Sequence, residues 1–255
     1  MDKQKKHTLK MIGHHVFGVL AAILLLMTIF KGYALQYYHE DTQTIAEIES
    51  SGGAVEHKMN KDMYLFYPKE MKPTCGIVFY PGGKVEFSAY RGLLYALAEK
   101  GYVCVVPRMP ENLAFLRIEA ASKVPGLIPS IDKWYLAGHS LGGVAAGRYV
   151  ATHANDYEGI IFCASYTTSD LKNTDLRVLN IYGSEDKVLN LEKFEEAQAN
   201  LPKDTTTYVI GGGCHSYFGC YGLQKGDGEP TLTNQEQIKE VVKKISGWID
   251  HPEIN

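Results

Sequence analysis

No C-x-x-C pair links any of the five cysteines, so neither a zinc site nor a thioredoxin-like redox centre is supported. There is no long basic block, and the formal net charge is -3, which argues against a nucleic-acid footprint. No internal repeat or low-complexity tract recurs along the chain, which excludes solenoids and propellers. The triplet Gly211-Gly212-Gly213 lacks the Lys and Ser/Thr of a phosphate-binding loop, and "KGDGE" at Lys225 lacks the ligand series of a calcium loop. No metal and no cofactor is therefore called for, and "KGDGE" reads as a solvated turn.

What the chain does contain is 255 residues with 45% hydrophobic content, enough for one sizeable core. Its first ten residues, "MDKQKKHTLK", are basic, and an uncharged run over 11–30 follows them. Twenty residues at helical rise cover roughly 30 Å, the thickness of a bilayer's hydrocarbon layer. The sequence divides into a basic cytoplasmic tail (1–10), a membrane-spanning signal-anchor (11–38), a linker with a short polar helix (39–53) and a folded body (54–255). The N-terminal lysines favour keeping that end in the cytoplasm, and Tyr33, Tyr37 and Tyr38 suit the far interface. This gives a single-pass cell-membrane protein with an extracytoplasmic body. The alternative is a cleaved signal peptide, with Gly32-Tyr33-Ala34 as the cleavage site and the body secreted. Cys75, Cys104 and Cys163 read as buried thiols, while an oxidising compartment would allow Cys214 to pair with Cys220.

Within the body, β-rich runs alternate with helical patterns: "MYLFY" at Met63, "CGIVFY" at Cys75, "YVCVV" at Tyr102, "WYLA" at Trp134, "GIIFCA" at Gly159, "VLNIY" at Val178 and "TTYVI" at Thr206. Continuous apolar strands separated by helices imply a mostly parallel sheet covered on both faces. Residues 90–100 predict a helix ending at Gly101, and Thr233 with Glu236 forms a capping box. That box opens a last helix striped by Ile238, Val241, Val242, Ile245 and Ile249. Between the strands at Gly159 and Val178 only "SYTTSDLKNTDLR" intervenes, which leaves no room for a cap domain.

The chemistry centres on "WYLAGHSLGGVAAGRYVA". Gly138 and Gly142 flank Ser140 in a G-x-S-x-G pattern with a strand before it and a helix-permissive run after it, the context a nucleophile elbow needs. A serine hydroxyl is a weak nucleophile unless a base takes its proton. In elbow-type serine enzymes the chain order is Ser, acid, His, which reduces nine histidines to His215 and the tail residue His251. His215 lies in the glycine-rich "GGGCHSYFGCYG" and is the expected base. In "YGSEDKV" both Glu185 and Asp186 qualify as the acid by position, with Asp186 preferred. The oxyanion hole is assigned to the backbone N–H of Leu141 and to that of Gly83 or Lys84 in "FYPGGKVEFSAY". Met109, Leu113, Phe115, Tyr217, Phe218 and Tyr221 are candidates for an apolar acyl pocket, with core packing the alternative for each.

From about Cys75 to Asp250 the chain resembles the α/β-hydrolase superfamily, and within it the small lidless group termed alpha/beta hydrolase fold-5. "FYPGGKVEFSAY", "PRMPENLAFL", "AGHSLGG", "YGSEDKV" and "GGGCHSYFGCYGLQKGDG" carry the resemblance. It implies an α/β-hydrolase fold without a cap, a triad of Ser140, Asp186 and His215, and cleavage of carboxylic esters. Cys214 departs from the polar residue expected before the histidine. The expected substrate is a small-molecule or envelope-derived acyl compound, the expected contact with the membrane is through the N-terminal helix, and no nucleic-acid partner is expected. The same acyl-serine chemistry fits a peptidase, thioesterase or acyltransferase, and a non-catalytic binding protein on the same fold is the remaining reading.

Overall fold

The computed structural model describes residues 3–50, 52–53 and 55–251. It divides into two units, 1–37 and 38–255. The first is helix α1 (Lys3–Ala34), whose large apolar side chains from Met11 to Phe30 are exposed and whose 24 residues Met11–Ala34 are long and apolar enough to cross a membrane or to serve as a signal sequence.

The second unit is a mostly parallel sheet with helices on both faces. Its helices are α2 (Thr42–Ser50), α3 (Arg91–Ala98), α4 (Val124–Leu127), α5 (Leu141–Val150), α6 (Leu191–Ala197) and α7 (Asn234–Asp250). Its strands are β1 (Val55–Met59), β2 (Met63–Pro68), β3 (Cys75–Tyr80), β4 (Tyr102–Pro107), β5 (Trp134–His139), β6 (Gly159–Cys163), β7 (Arg177–Gly183) and β8 (Thr205–Ile210). The sheet order is β1-β2-β4-β3-β5-β6-β7-β8, with β4 to β8 parallel and the β1–β2 hairpin antiparallel at one edge.

All seven expected strands are present. β1 was not anticipated, because its "VEHKM" buries only Val55 and exposes the rest as a charged edge. Strands β3, β4, β5 and β6 are buried along their whole length, as their unbroken apolar runs require. Each buried Leu, Ile or Phe contributes roughly 1.5–3 kcal/mol, so these strands anchor everything at their C-terminal ends.

Two apolar clusters cover the two faces. One packs α2, α3 and α7 on the sheet, and the other packs α5 and the 114–124 segment on the opposite side. The capping box on α7 forms as expected: Glu236 N–H donates to Thr233 Oγ1 at 3.3 Å, and Thr233 N–H donates to the Glu236 carboxylate at 2.8 Å. Trp248, rather than Ile249, completes the buried stripe of that helix. The expected start of the body, Ala54, lies outside the described residues. The compact unit reaches back past it to Tyr38, because Ile45 and Ile48 of α2 are buried in the first cluster.

Candidate active site

The C-terminal ends of the parallel strands bring the predicted residues to one edge of the sheet. β5 ends at His139, and Ser140 turns directly into α5 with φ 51° and ψ -127°, a left-handed backbone that a serine adopts only under constraint. The constraint is close packing. A Cβ on Gly142 would overlap the carbonyl oxygens of Pro81 and Tyr80, and one on Gly138 would lie 2.6 Å from Gly143 N. Ser140 N–H donates to the Cys163 carbonyl at 3.0 Å, and the Ser140 carbonyl accepts from Ser165 Oγ at 2.6 Å, so the end of β6 and the residues just after it pin the bend from both sides. The positive end of α5 points at the bend.

His215 opens a short turn after β8 and is buried. Its Nδ1 lies 2.9 Å from Asp186 Oδ2, with both side chains 1% exposed. Asp186 Oδ1 accepts from the N–H groups of Val188 and Leu189 at 2.8 Å each, so the carboxylate is fixed before it meets the imidazole. A carboxylate only accepts, hence Nδ1 carries the proton and Nε2 the lone pair. His215 Nε2 is buried and has no hydrogen-bond partner among the described residues. Glu185 is half-exposed and takes a hydrogen bond from Ser184 Oγ at 2.9 Å, and His251 is exposed beyond α7. Of the alternatives open in the sequence, Asp186 and His215 are the pair in contact.

Two of the three oxyanion candidates remain. Among the described residues, the N–H groups of Leu141 and Gly83 donate to no protein acceptor. The two residues abut, because a Cβ on Gly83 would lie 2.8 Å from Leu141 Cδ2. Lys84 is corrected: its N–H donates to the Asn112 carbonyl at 2.8 Å and is spent. Of the acyl-pocket candidates, Met109, Phe218 and Tyr221 take the core-packing alternative, since all three are buried in the two core clusters. Leu113 and Tyr217 are half-buried, and Phe115 is exposed.

Three polar side chains that the sequence did not single out hold the site together. His139 is buried, and its Nε2 lies 3.0 Å from the His215 carbonyl, which only accepts, so Nε2 carries the proton. Its Nδ1 therefore accepts from Tyr90 Oη–H at 2.9 Å, and Tyr90 Oη in turn accepts from Gly82 N–H at 2.9 Å. One directed chain of hydrogen bonds thus joins the loop after β3, the elbow and the histidine loop. Burial, and after it the neighbouring His215 ring 4.6 Å away, push the His139 pKa well below the usual imidazole range, so this ring is neutral.

The second is Asp227, in the turn first read as solvated. Its carboxylate accepts from Ser216 Oγ at 2.6 Å and from the N–H groups of Ser216 at 2.8 Å, Gly228 at 2.8 Å and His215 at 3.2 Å. Burial alone would raise its pKa, but these hydrogen bonds outweigh burial and hold it below the ordinary carboxylate value. The third is Gln237 on α7, fully buried, which accepts from Cys214 N–H at 2.9 Å and donates to the Cys214 carbonyl at 2.8 Å.

All five cysteines are free and buried, so Cys214 and Cys220 are not paired. Burial pushes both thiols up to about 12, which leaves them protonated and unreactive at neutral pH. No group of three His, Cys, Asp or Glu side chains suited to a metal occurs among the described residues.

A family model described as the alpha/beta hydrolase family matches residues 76–239. Among solved structures, a predicted CIB-like hydrolase from Thermoplasma acidophilum is similar, with a TM-score of 0.55 at 14% identity over 77% of this chain and 100% of that one. At that identity the likeness speaks for the fold. No curated protein sequence matches the chain.

Proposed function

We propose, for a chain that belongs to the alpha/beta hydrolase family, that it cleaves carboxylic esters through an acyl-serine intermediate. In this reading His215 Nε2 takes the Ser140 hydroxyl proton as Oγ bonds to the ester carbon. The N–H groups of Leu141 and Gly83 hold the carbonyl oxygen while it is negative. The carbon–alkoxide bond then breaks, and the leaving alcohol receives the proton from His215. Water gives a proton to the same nitrogen and its oxygen attacks the acyl carbon. Ser140 leaves and regains its hydrogen, and the acid departs. Asp186 keeps the imidazole in the tautomer this needs and stabilises its charged form.

The observation that carries this reading is the buried His215, bonded to Asp186 through Nδ1 at 2.9 Å with Nε2 unpartnered, its ring 4.6 Å from that of His139, the residue before a serine held at φ 51°. The uncapped edge favours short acyl groups or a bulky envelope-derived ester over long-chain triglyceride. The helix Met11–Ala34 supports an extracytoplasmic body, held by one span or released by cleavage. A fluorophosphonate probe tests the chemistry: the wild-type chain is expected to label and Ser140→Ala to lose labelling. Equal labelling of the two would overturn the assignment.

A further inference from the structure

The apolar helix α1 ends at Ala34, and only residues 35–37 separate it from Tyr38. From Tyr38 onward the chain belongs to the hydrolase body, and there it runs beside the loop that carries Gly83. Tyr38 forms a parallel bridge with Val85. Its N–H donates to the Lys84 carbonyl at 2.8 Å, and its carbonyl accepts from Glu86 N–H at 2.9 Å. The segment also reaches the histidine loop. Asp41 N–H donates to the Cys220 carbonyl at 2.8 Å, Tyr38 Oη accepts from Lys225 N–H at 3.0 Å, and the Tyr38 and Tyr221 rings lie 5.6 Å apart.

We propose that residues 38–41 are a strap that positions the oxyanion loop against the histidine loop, so that the first residues of the body are a working part of the hydrolase site. The inference rests on the reading of Ser140, His215 and Gly83 given above.

The mechanics are specific. The peptide plane that carries Gly83 N–H also carries the Gly82 carbonyl, and that carbonyl accepts from Val85 N–H at 3.3 Å. The turn needs Lys84 left-handed, and it has φ 59°, a conformation a lysine keeps only when its surroundings hold it. The two strap bonds, to the Lys84 carbonyl and from Glu86 N–H, bracket Val85 and so fix the group that orients the Gly83 plane. Without them the turn keeps only the Val85–Gly82 and Lys84–Asn112 bonds, its Val85 side can shift, and Gly83 N–H loses its aim. A misplacement of about 1 Å at such a donor can cost roughly a hundredfold in rate.

The strap also constrains processing. Cleavage at Gly32-Tyr33-Ala34 leaves residues 38–41 on the body, so a released form keeps an intact site, whereas cleavage beyond Asp41 removes the brace.

The test uses the full chain and backbone-selective variants. Tyr38→Pro removes the N–H that holds Lys84, and Tyr38→Ala removes the ring while keeping that N–H. Gln36→Pro places a proline in the tether outside the strap. The readouts are kcat and KM on a soluble p-nitrophenyl ester, the fluorophosphonate labelling rate, and thermal unfolding. Tyr38→Pro is expected to lower kcat and labelling about tenfold or more below Tyr38→Ala, with KM within about twofold and Gln36→Pro at wild-type rates.

Equal kcat in Tyr38→Pro and Tyr38→Ala overturns the strap. Should Tyr38→Pro fail to fold, Tyr38→Phe decides. It removes only the hydroxyl that accepts from Lys225, and it is expected to lose about two- to threefold in kcat with its melting unchanged. Wild-type kcat there overturns the strap as well. A wild-type chain that does not label overturns the hydrolase reading and the strap with it, whereas a labelled wild type matched by equally fast Tyr38→Pro overturns the strap alone.

Discussion

At the nucleophile elbow, glycines let backbone segments touch: Gly142 lies against the Tyr80 and Pro81 carbonyls, and Gly138 against Gly143. At the histidine loop the chain is held by side chains that arrive from elsewhere, Asp227 from the following turn and Gln237 from α7. The elbow owes its shape chiefly to steric exclusion, with the neutral hydroxyls of Ser165 and Tyr90 as its side-chain partners and no charged group. The histidine loop has one such contact, Gly183 against the Gly213 and Cys214 backbone, and adds to it charge-assisted and buried hydrogen bonds. Damage at the elbow should therefore act through shape and be insensitive to pH, and damage at the loop should act through charge.

The elbow side of this contrast predicts the largest effect. Gly142→Ala puts a Cβ into two carbonyl oxygens with no flexible side chain to yield, so the bend must move. A loss of about a hundredfold or more in kcat is expected, with a lower melting temperature and an unchanged pH profile. Restored activity at any pH would break the contrast.

Asp227→Asn keeps the volume and removes the charge, and an amide nitrogen cannot accept from the Ser216 groups. A drop in kcat of about tenfold is expected, with KM little changed. Because the carboxyl's pKa is lowered from 3.8 by folding, its stabilisation is present above that value and is lost as pH falls through the lower folded value. The wild-type chain should show this acid-limb loss, and the variant should lack it. Acid unfolding followed by circular dichroism compares the two.

His139 belongs to both regions. Its folded pKa lies below the ordinary 6.5, so the unfolded chain binds a proton that the folded chain refuses. Stability is therefore expected to fall as pH drops below 6.5, by up to about 1.4 kcal/mol per pH unit. His139→Gln, which keeps one donor and one acceptor, should flatten that slope in denaturant titrations at pH 7 and pH 5.5. The smallest effect is expected for Glu185→Gln. With Asp186 on His215, kcat should change by less than about twofold, and a larger loss would return the acid's role to Glu185.

Much of this arrangement is legible along the chain because it is local. The apolar runs that became β2 to β8, the glycines around Ser140 and the capping box at Thr233 each act through residues a few positions apart. β1 and α2 escaped because their polarity hides single buried residues, Val55 in one and Ile45 and Ile48 in the other. Asp227 escaped because a carboxylate among glycines reads as a solvated turn until the His215 and Ser216 amides are seen to face it. Cys214 and Cys220, for which an oxidising compartment would allow a bridge, are separate buried thiols.

The succession of strands and helices along the chain and the glycine-flanked bend at Ser140 follow from residue type and local periodicity, since sterics and hydrophobic pattern act over short separations. Tertiary structure alone decided which backbone N–H stays unspent at the oxyanion position, which of two adjacent carboxylates meets His215, and that residues 38–41 lie against the Gly83 loop. Hydrogen-bond groups are alike along the chain, and only packing in three dimensions determines which of them are already paired and which remain open.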